Sequence, residues 1–235
     1  MKVVITSMIW KRPEIFKIWS ISICRLINSF PGVEFKVLVA GSEKEISRKQ
    51  VEFYGFDYVE APNDPLGNKA NLRLQACKKY GADYILFLGS DDILNNKAFA
   101  FILDKMEKGF EEIAPIDLYI YDSESRRLIY SKGYTNERKG ERLAIGRAIK
   151  TDVLNKVSWN LWRPGINKSL DGSSRKILDK YINNPFYYYL KDNDLMIIDI
   201  KSEVNLSPFK IRSNHTLINS NKLKQMEEHN LIINL

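Results

Sequence analysis

The first ninety residues alternate short apolar runs with stretches of helical periodicity. Val3 to Ile5 is an apolar strand. After Pro13, which suits a first helical turn, Ile15, Ile18, Trp19, Ser22, Ile23, Leu26 and Ile27 recur at helical spacing. Phe35 to Ala40 predicts a second strand stopped by Gly41-Ser42, and Glu43 to Tyr54 a second helix with Ser42 as its N-cap. Tyr58 to Glu60 is a third strand. Beyond the turn-rich Ala61 to Gly67, Leu72, Ala76 and Lys79 mark a helix over Asn68 to Tyr80, which Gly81 ends before the strand Tyr84 to Leu88. Repeated strand–helix units joined by right-handed crossovers build a mostly parallel sheet flanked by helices, so the predicted class is α/β.

Past Asp92 the rhythm changes. A helix over Asn96 to Lys108 is followed by strand-like Leu118 to Tyr121 and Leu128 to Tyr134 around the polar turn Asp122 to Arg127, which predicts a hairpin. Residues 140–172 are rich in Arg, Gly and Trp and lack periodicity, so they read as loops plus a short helix, Lys150 to Val157. Ser173 to Tyr181 reads as helix, Phe186 to Leu190 and Met196 to Ile200 as apolar strands, and the chain after Ser207 as a polar tail.

The run Tyr84-Ile85-Leu86-Phe87-Leu88-Gly89-Ser90 breaks into two adjacent carboxylates, Asp91 and Asp92. Carboxylates at the carboxyl end of a sheet strand sit where open α/β sheets bind ligands, and hard oxygen ligands suit a divalent cation. The competing reading is that they cap the helix starting at Asn96. Composition adds a bias of charge: 36 basic against 29 acidic residues give +7, which favours an acidic partner such as nucleic acid, an anionic surface or a phosphorylated substrate. No apolar stretch approaches the ~20 residues of a membrane span, and no signal-peptide pattern opens the chain, so the expected location is cytoplasmic. Cys24 and Cys77 have no metal-ligand spacing and read as buried thiols.

Thr6-Ser7 and Arg12-Pro13 after the first strand, Gly67-Asn68-Lys69-Ala70-Asn71, and Asp91-Asp92 together resemble the GT-A glycosyltransferases, especially the inverting family 2. The resemblance is strongest over residues 1–100. It implies a single GT-A domain, Rossmann-like, with a nucleotide-sugar donor half (1–95), a smaller mixed acceptor half (96–210) and a C-terminal tail (211–235). It also implies a hexosyl transfer from a nucleotide-diphosphate sugar, UDP-sugar favoured, to an acceptor hydroxyl, with Mn²⁺ or Mg²⁺ as cofactor.

Residue by residue, the resemblance implies a metal on Asp91 or Asp92, with Asp91 also serving the donor and His215 as a further ligand. Gly89 stands where many relatives carry the first aspartate. Thr6, Arg12, Ser42, Lys69 and Asn71 are the implied donor contacts, with Ser42 or Glu43 replacing the aspartate that commonly reads the base. Asp171 before Gly172 is the implied general base, with Asp152 and Asp194 as substitutes. Trp159, Trp162 and Arg163 are the candidate acceptor contacts, since an indole face stacks on a sugar or base; Trp10 shares that chemistry, and His229 reads as exposed. A glycan, a lipid-linked sugar, a protein side chain or a hydroxymethylated DNA base are all compatible acceptors. Two other classes compete. A sugar nucleotidyltransferase shares the carboxylates but opens with a Gly-rich loop that Thr6 to Pro13 lacks, and a nucleic-acid-binding protein explains the charge but not the acidic pair.

Overall fold

In the computed structural model, which describes residues 1–201, 211 and 213–218, the first strand outlasts its apolar run. β1 (Lys2–Ile9) buries Val3, Ile5 and Ile9 in one core and Val4 in a second core on the opposite face. A strand covered on both faces reads as a continuous apolar run, which is the pattern of an interior parallel strand. Polar Thr6 and Ser7 continue it, fully buried, with the Thr6 hydroxyl donating to Leu38 O at 2.9 Å.

α1 (Pro13–Ser29), β2 (Glu34–Gly41), α2 (Glu45–Glu52), β3 (Asp57–Glu60), α3 (Leu66–Cys77) and β4 (Tyr84–Phe87) follow in the predicted alternation. The four strands are parallel and lie in the order β3-β2-β1-β4. The chain thus builds outward from β1 to β3 and then crosses back to place β4 on the other flank of β1. Such a reversal opens a crevice outside the carboxyl ends of the two strands that part, here β1 and β4.

The remaining elements are β5 (Asp92–Leu94), α4 (Asn96–Glu107), β6 (Glu112–Pro115), β7 (Leu118–Asp122), β8 (Arg127–Ser131), β9 (Arg147–Lys150), α5 (Thr151–Lys156), α6 (Leu170–Leu178), β10 (Pro185–Tyr188), β11 (Ile197–Lys201) and β12 (His215–Leu217). β9, β6 and β10 extend the first sheet beyond β4, with β9 antiparallel to both β4 and β6. A second, mixed sheet has the order β12-β8-β7-β11-β5 and contains the predicted hairpin, with Tyr119 opposite Tyr130. Among the described residues no helix is long and apolar enough to cross a membrane.

Four local expectations are corrected. Ser42 does not cap α2, which starts after Lys44 without a side-chain cap. The acidic pair does not cap α4; Asn95 does, its Oδ1 accepting from Ala98 N at 2.8 Å. Residues 140–172 hold a central strand, β9, whose register against Glu112 lets the buried Arg147 approach an acid at 3.7 Å. α6 begins at Leu170, so Asp171 lies inside its first turn. The expected polar tail and His229 fall mostly outside the described residues, yet β12 within that stretch pairs with β8. Cys24 and Cys77 are free thiols, and burial pushes both pKa values up, that of Cys77 to about 11.

Candidate active site

The loop leaving β4 turns directly into β5, and β5 pairs antiparallel with β11 so that Asp199 stands opposite Asp92. Asp91, Asp92 and Asp199 each bring a carboxylate oxygen within 4.8 Å of the others. Gly89 makes this possible: its N–H donates to Asp92 Oδ2, and a Cβ at position 89 would lie 2.7 Å from Asp91 Oδ1. The position that lacks the third acid in sequence is therefore filled in space from β11. Burial and the neighbouring carboxylates raise the Asp92 pKa well above the ordinary range, and the same causes push Asp199 to about 6. Asp199 Oδ1 is buried with no hydrogen-bond partner. Three crowded carboxylates with an unsatisfied oxygen fit a hard divalent cation.

Two cations flank the acids. Arg12 Nη1 donates to Asp91 Oδ2 at 2.7 Å, and Lys201 Nζ lies 2.6 Å from Asp199 Oδ2. Arg12, Lys201, Asp91, Ser90 and Gly89 line a cleft of about 240 Å³ together with Trp10, Asn63, Lys69 and Arg73, at the crevice between β1 and β4.

Arg73 is the unusual member of this lining. It is 5% exposed, its Nε has no hydrogen-bond partner, and no carboxylate pairs with it among the described residues. Its guanidinium lies over the rings of Phe87 and Trp162, 5.4 and 5.5 Å from their centroids. Burial, with the nearby Arg147, lowers its pKa to about 10. A desolvated guanidinium without an anion is costly, so an anion entering the cleft would offset that cost.

Lys69 is buried too, but satisfied. Its ammonium donates to Ile9 O at 2.8 Å, to Asn63 Oδ1 at 3.0 Å and to Ser42 Oγ, which uses its three N–H groups. It therefore ties the ends of β1, β2 and β3 together, and itself lines the cleft beside Asn63. Burial, reinforced by Arg73, lowers its pKa to about 8.

Asn71 has a structural duty as well. Its Nδ2 donates to Trp162 O at 2.7 Å, and its Oδ1 accepts from Leu161 N and Trp162 N. Further bonds along the same stretch join Gly67 N to Ile166 O, Gly165 N to Asn68 Oδ1 and Leu66 N to Asn167 Oδ1. Residues 161–167 are thus strapped onto the start of α3. Trp159 and Trp162, at 6% and 5% exposure, pack into the core beneath the strap, whereas Arg163 is exposed. Gly67 permits the close approach, since a Cβ there would lie 2.5 Å from Arg163 O. Alanine usually stabilises a helix interior by about 1 kcal/mol over glycine. Gly172→Ala in α6, where nothing lies within 4 Å, is expected to follow that rule. Gly67→Ala is expected to reverse it, destabilising by roughly 1–3 kcal/mol. Urea midpoints of the two variants check the contrast.

Asp171 accepts a 2.7 Å hydrogen bond from the Tyr134 hydroxyl, and burial together with this carboxylate pushes the Tyr134 pKa up. Its chain neighbour Leu170 lines the cleft. His215 lies on β12, with β8, β7 and β11 between it and the strand of Asp92, and the described acidic group does not include it.

No protein-family model matches the chain, and no curated protein matches it. Solved structures do. The chain is similar to residues 1–349 of S. aureus TarS, with a TM-score of 0.62 and 15% identity over 85% of this chain and 60% of that one. The same TarS fragment in complex with UDP aligns with a TM-score of 0.53, at 14% identity over 86% of this chain and 61% of that one. The fold is that of the GT-A glycosyltransferases. A glycosyltransferase involved in glycosylation of the major capsid of PBCV-1 matches over 99% of this chain and its whole length, with a TM-score of 0.51 and 11% identity. A putative glucose-1-phosphate thymidylyltransferase from Bacillus anthracis matches with a TM-score of 0.52 and 10% identity, over 85% of this chain and 89% of that one. This chain spans 60% of the TarS fragment's length.

In this GT-A fold, four site residues escape a reading of motifs: Asn63, Asp199, Lys201 and Arg73. Asp199 and Lys201 carry a signal, since an acid inside Ile197-Ile198-Asp199-Ile200 breaks an apolar run and a lysine follows it. Arg73 carries none, because an arginine in a helix is ordinary until its burial is known.

Proposed function

We propose that the chain is a metal-dependent glycosyltransferase that moves a sugar from a nucleoside-diphosphate donor, with a UDP-sugar favoured, to an acceptor hydroxyl. The observation that carries this reading is the charge pattern of the cleft: a carboxylate trio suited to a divalent cation beside a buried guanidinium that has no anion among the described residues. A metal–diphosphate complements both at once. The similarity to a TarS fragment crystallised with UDP supports uridine as the nucleoside.

Asp91, Asp92 and Asp199 would hold Mn²⁺ or Mg²⁺, which when bound supplies Lewis-acid neutralisation of charge on the departing diphosphate. Arg73 would hold a phosphate oxygen at the floor of the cleft, where its own burial strengthens a charge-assisted bond. Arg12 and Lys201 fix the orientation of Asp91 and Asp199. Asn63 and Lys69 shape the wall for the base, with Lys69 as the residue that positions Ser42 and Asn63, while Thr6, fully buried with its hydroxyl on Leu38 O, supports the wall from behind. Asp171, oriented by Tyr134, removes the proton from the attacking hydroxyl, and attack opposite the leaving diphosphate gives inversion. His215 is left without a catalytic duty.

UDP with Mn²⁺ at about a hundred times its dissociation constant is expected to raise the melting temperature by ~5–10 °C, and neither alone by as much. Absence of any shift would sink the donor assignment. The thymidylyltransferase similarity makes nucleotidyl transfer the alternative outcome. Release of pyrophosphate from a nucleoside triphosphate and a sugar phosphate would establish it over release of a nucleoside diphosphate.

A further inference from the structure

A second groove, of about 800 Å³, runs alongside the donor cleft and is lined by five basic side chains against two acidic ones. Its walls are the 160–169 stretch, the start of α6 and the turn around Arg138. The two grooves meet at the first turn of α6: Leu170 faces the cleft, Ser169, Gly172 and Ser173 face the groove, and Asp171 lies between them in sequence. The helical turn that carries the proposed base thus separates the two linings, and an acceptor reaching from this groove into the cleft would cross that turn.

The charges of the groove are not arranged as a neutral surface. Glu141 is shared by Arg138 at 2.9 Å and Arg175 at 3.2 Å, so its charge is already claimed. Arg163, Lys168 and Lys176 are exposed and make no ion pair among the described residues. Arg138 Nη2 and Arg175 Nε are buried without hydrogen-bond partners. Buried Arg142, by contrast, meets both Glu112 and Asp179. Like charges converging on one concave surface repel unless an anion joins them.

We propose that this groove holds the acceptor and that the acceptor carries phosphate: a slender phosphorylated or phosphodiester-linked hydroxyl compound, gripped by Arg163, Lys168 and Lys176, whose hydroxyl is presented to Asp171. The proposal deepens the transferase reading and rests on it for the position of the reacting hydroxyl. The volume lies in the range that encloses a ligand of a few rings or phosphate units, which favours a slender chain over a duplex. The guanidinium fork of Arg163 matches a phosphate oxygen pair, and lysine adds point charge.

Calorimetric titration with the full chain at low salt tests it. The probes are glycerol 1-phosphate, a short phosphodiester-linked glycerol oligomer, free glycerol, glucuronate and a DNA duplex containing hydroxymethylcytosine. Both phosphate probes are expected to bind at least ~10-fold more tightly than glycerol or glucuronate, a ratio that several exposed charge contacts together supply. Tighter binding of the oligomer than the monomer identifies a polymeric acceptor, and equal binding a single phosphorylated unit. The triple variant Arg163→Gln, Lys168→Gln, Lys176→Gln should lose roughly that tenfold, while Lys17→Gln, Lys36→Gln, Lys78→Gln, on other faces, should lose nothing.

Equal binding of the neutral probe, equal loss in both triple variants, or preference for the duplex would each overturn the proposal. UDP titration with Mn²⁺ reports on the donor cleft separately. Phosphate probes that bind where UDP does not would retain the groove and remove the transferase reading; UDP binding without phosphate-probe binding would do the reverse.

Discussion

Asp92→Asn is expected to lower sugar transfer by about a thousandfold while making the ligand-free protein more stable. The catalytic loss follows from weakening the site that neutralises the departing diphosphate, an electrostatic effect of that order. The stability gain follows from Asp92 being buried against Asp91 and Asp199, which raises its pKa. A carboxyl whose folded pKa lies above its unfolded value near 4 stabilises the fold only when protonated. Through Asp199 the wild-type protein should lose stability as pH rises from about 4 through about 6, and the raised pKa of Asp92 adds to the decline in the same direction. Asp92→Asn should flatten that decline, and Mn²⁺ should reverse it for the wild type alone. Melting curves from pH 4 to 8, with and without Mn²⁺, measure all three. An unchanged kcat/KM in the variant would remove Asp92 from the mechanism.

Arg73→Met separates binding from folding by an even simpler route. Methionine keeps much of the apolar stem that lies against Phe87 and Trp162 and deletes a buried charge that has no carboxylate partner. Replacing a buried charge with a packed apolar chain stabilises proteins by on the order of 1–4 kcal/mol. The same change should weaken UDP binding by about a hundredfold, from the loss of one desolvated charge-assisted contact. Chemical denaturation and UDP titration of the one variant give opposite signs if Arg73 serves the donor. A variant that both unfolds more easily and binds UDP normally would make Arg73 a purely structural residue.

The frame of the molecule was readable wherever one face of an element decided its pattern. The β1–α1–β2–α2–β3–α3–β4 alternation carries its own periodicity, and Pro13, Gly81 and the hairpin turn punctuate it. β9 was not readable, because a short strand buried within a sheet has no alternation and this one opens on an arginine whose carboxylate neighbour lies far off in sequence. Among the site residues, Asp91 and Asp92 stand side by side after β4, and Arg12, expected as a donor contact, pairs with Asp91. Asn71 and the tryptophans were legible as important but not in their duty, since a hydrogen bond across ninety residues leaves no local mark. Asp199 reaches the cluster only through the register of β11 on β5, and register is a property of the pairing rather than of either strand.

The strap that binds residues 161–167 to α3 joins two tasks in one helix. Toward the cleft, α3 carries Lys69 and Arg73; toward the groove, its Asn71 and Gly67 fix the backbone that presents Arg163. A loop grafted from another protein would arrive without its anchors, so on the proposed reading an acceptor preference could not be transplanted as a surface segment. It would travel with the helix, and with the helix would travel the proposed grip on the donor.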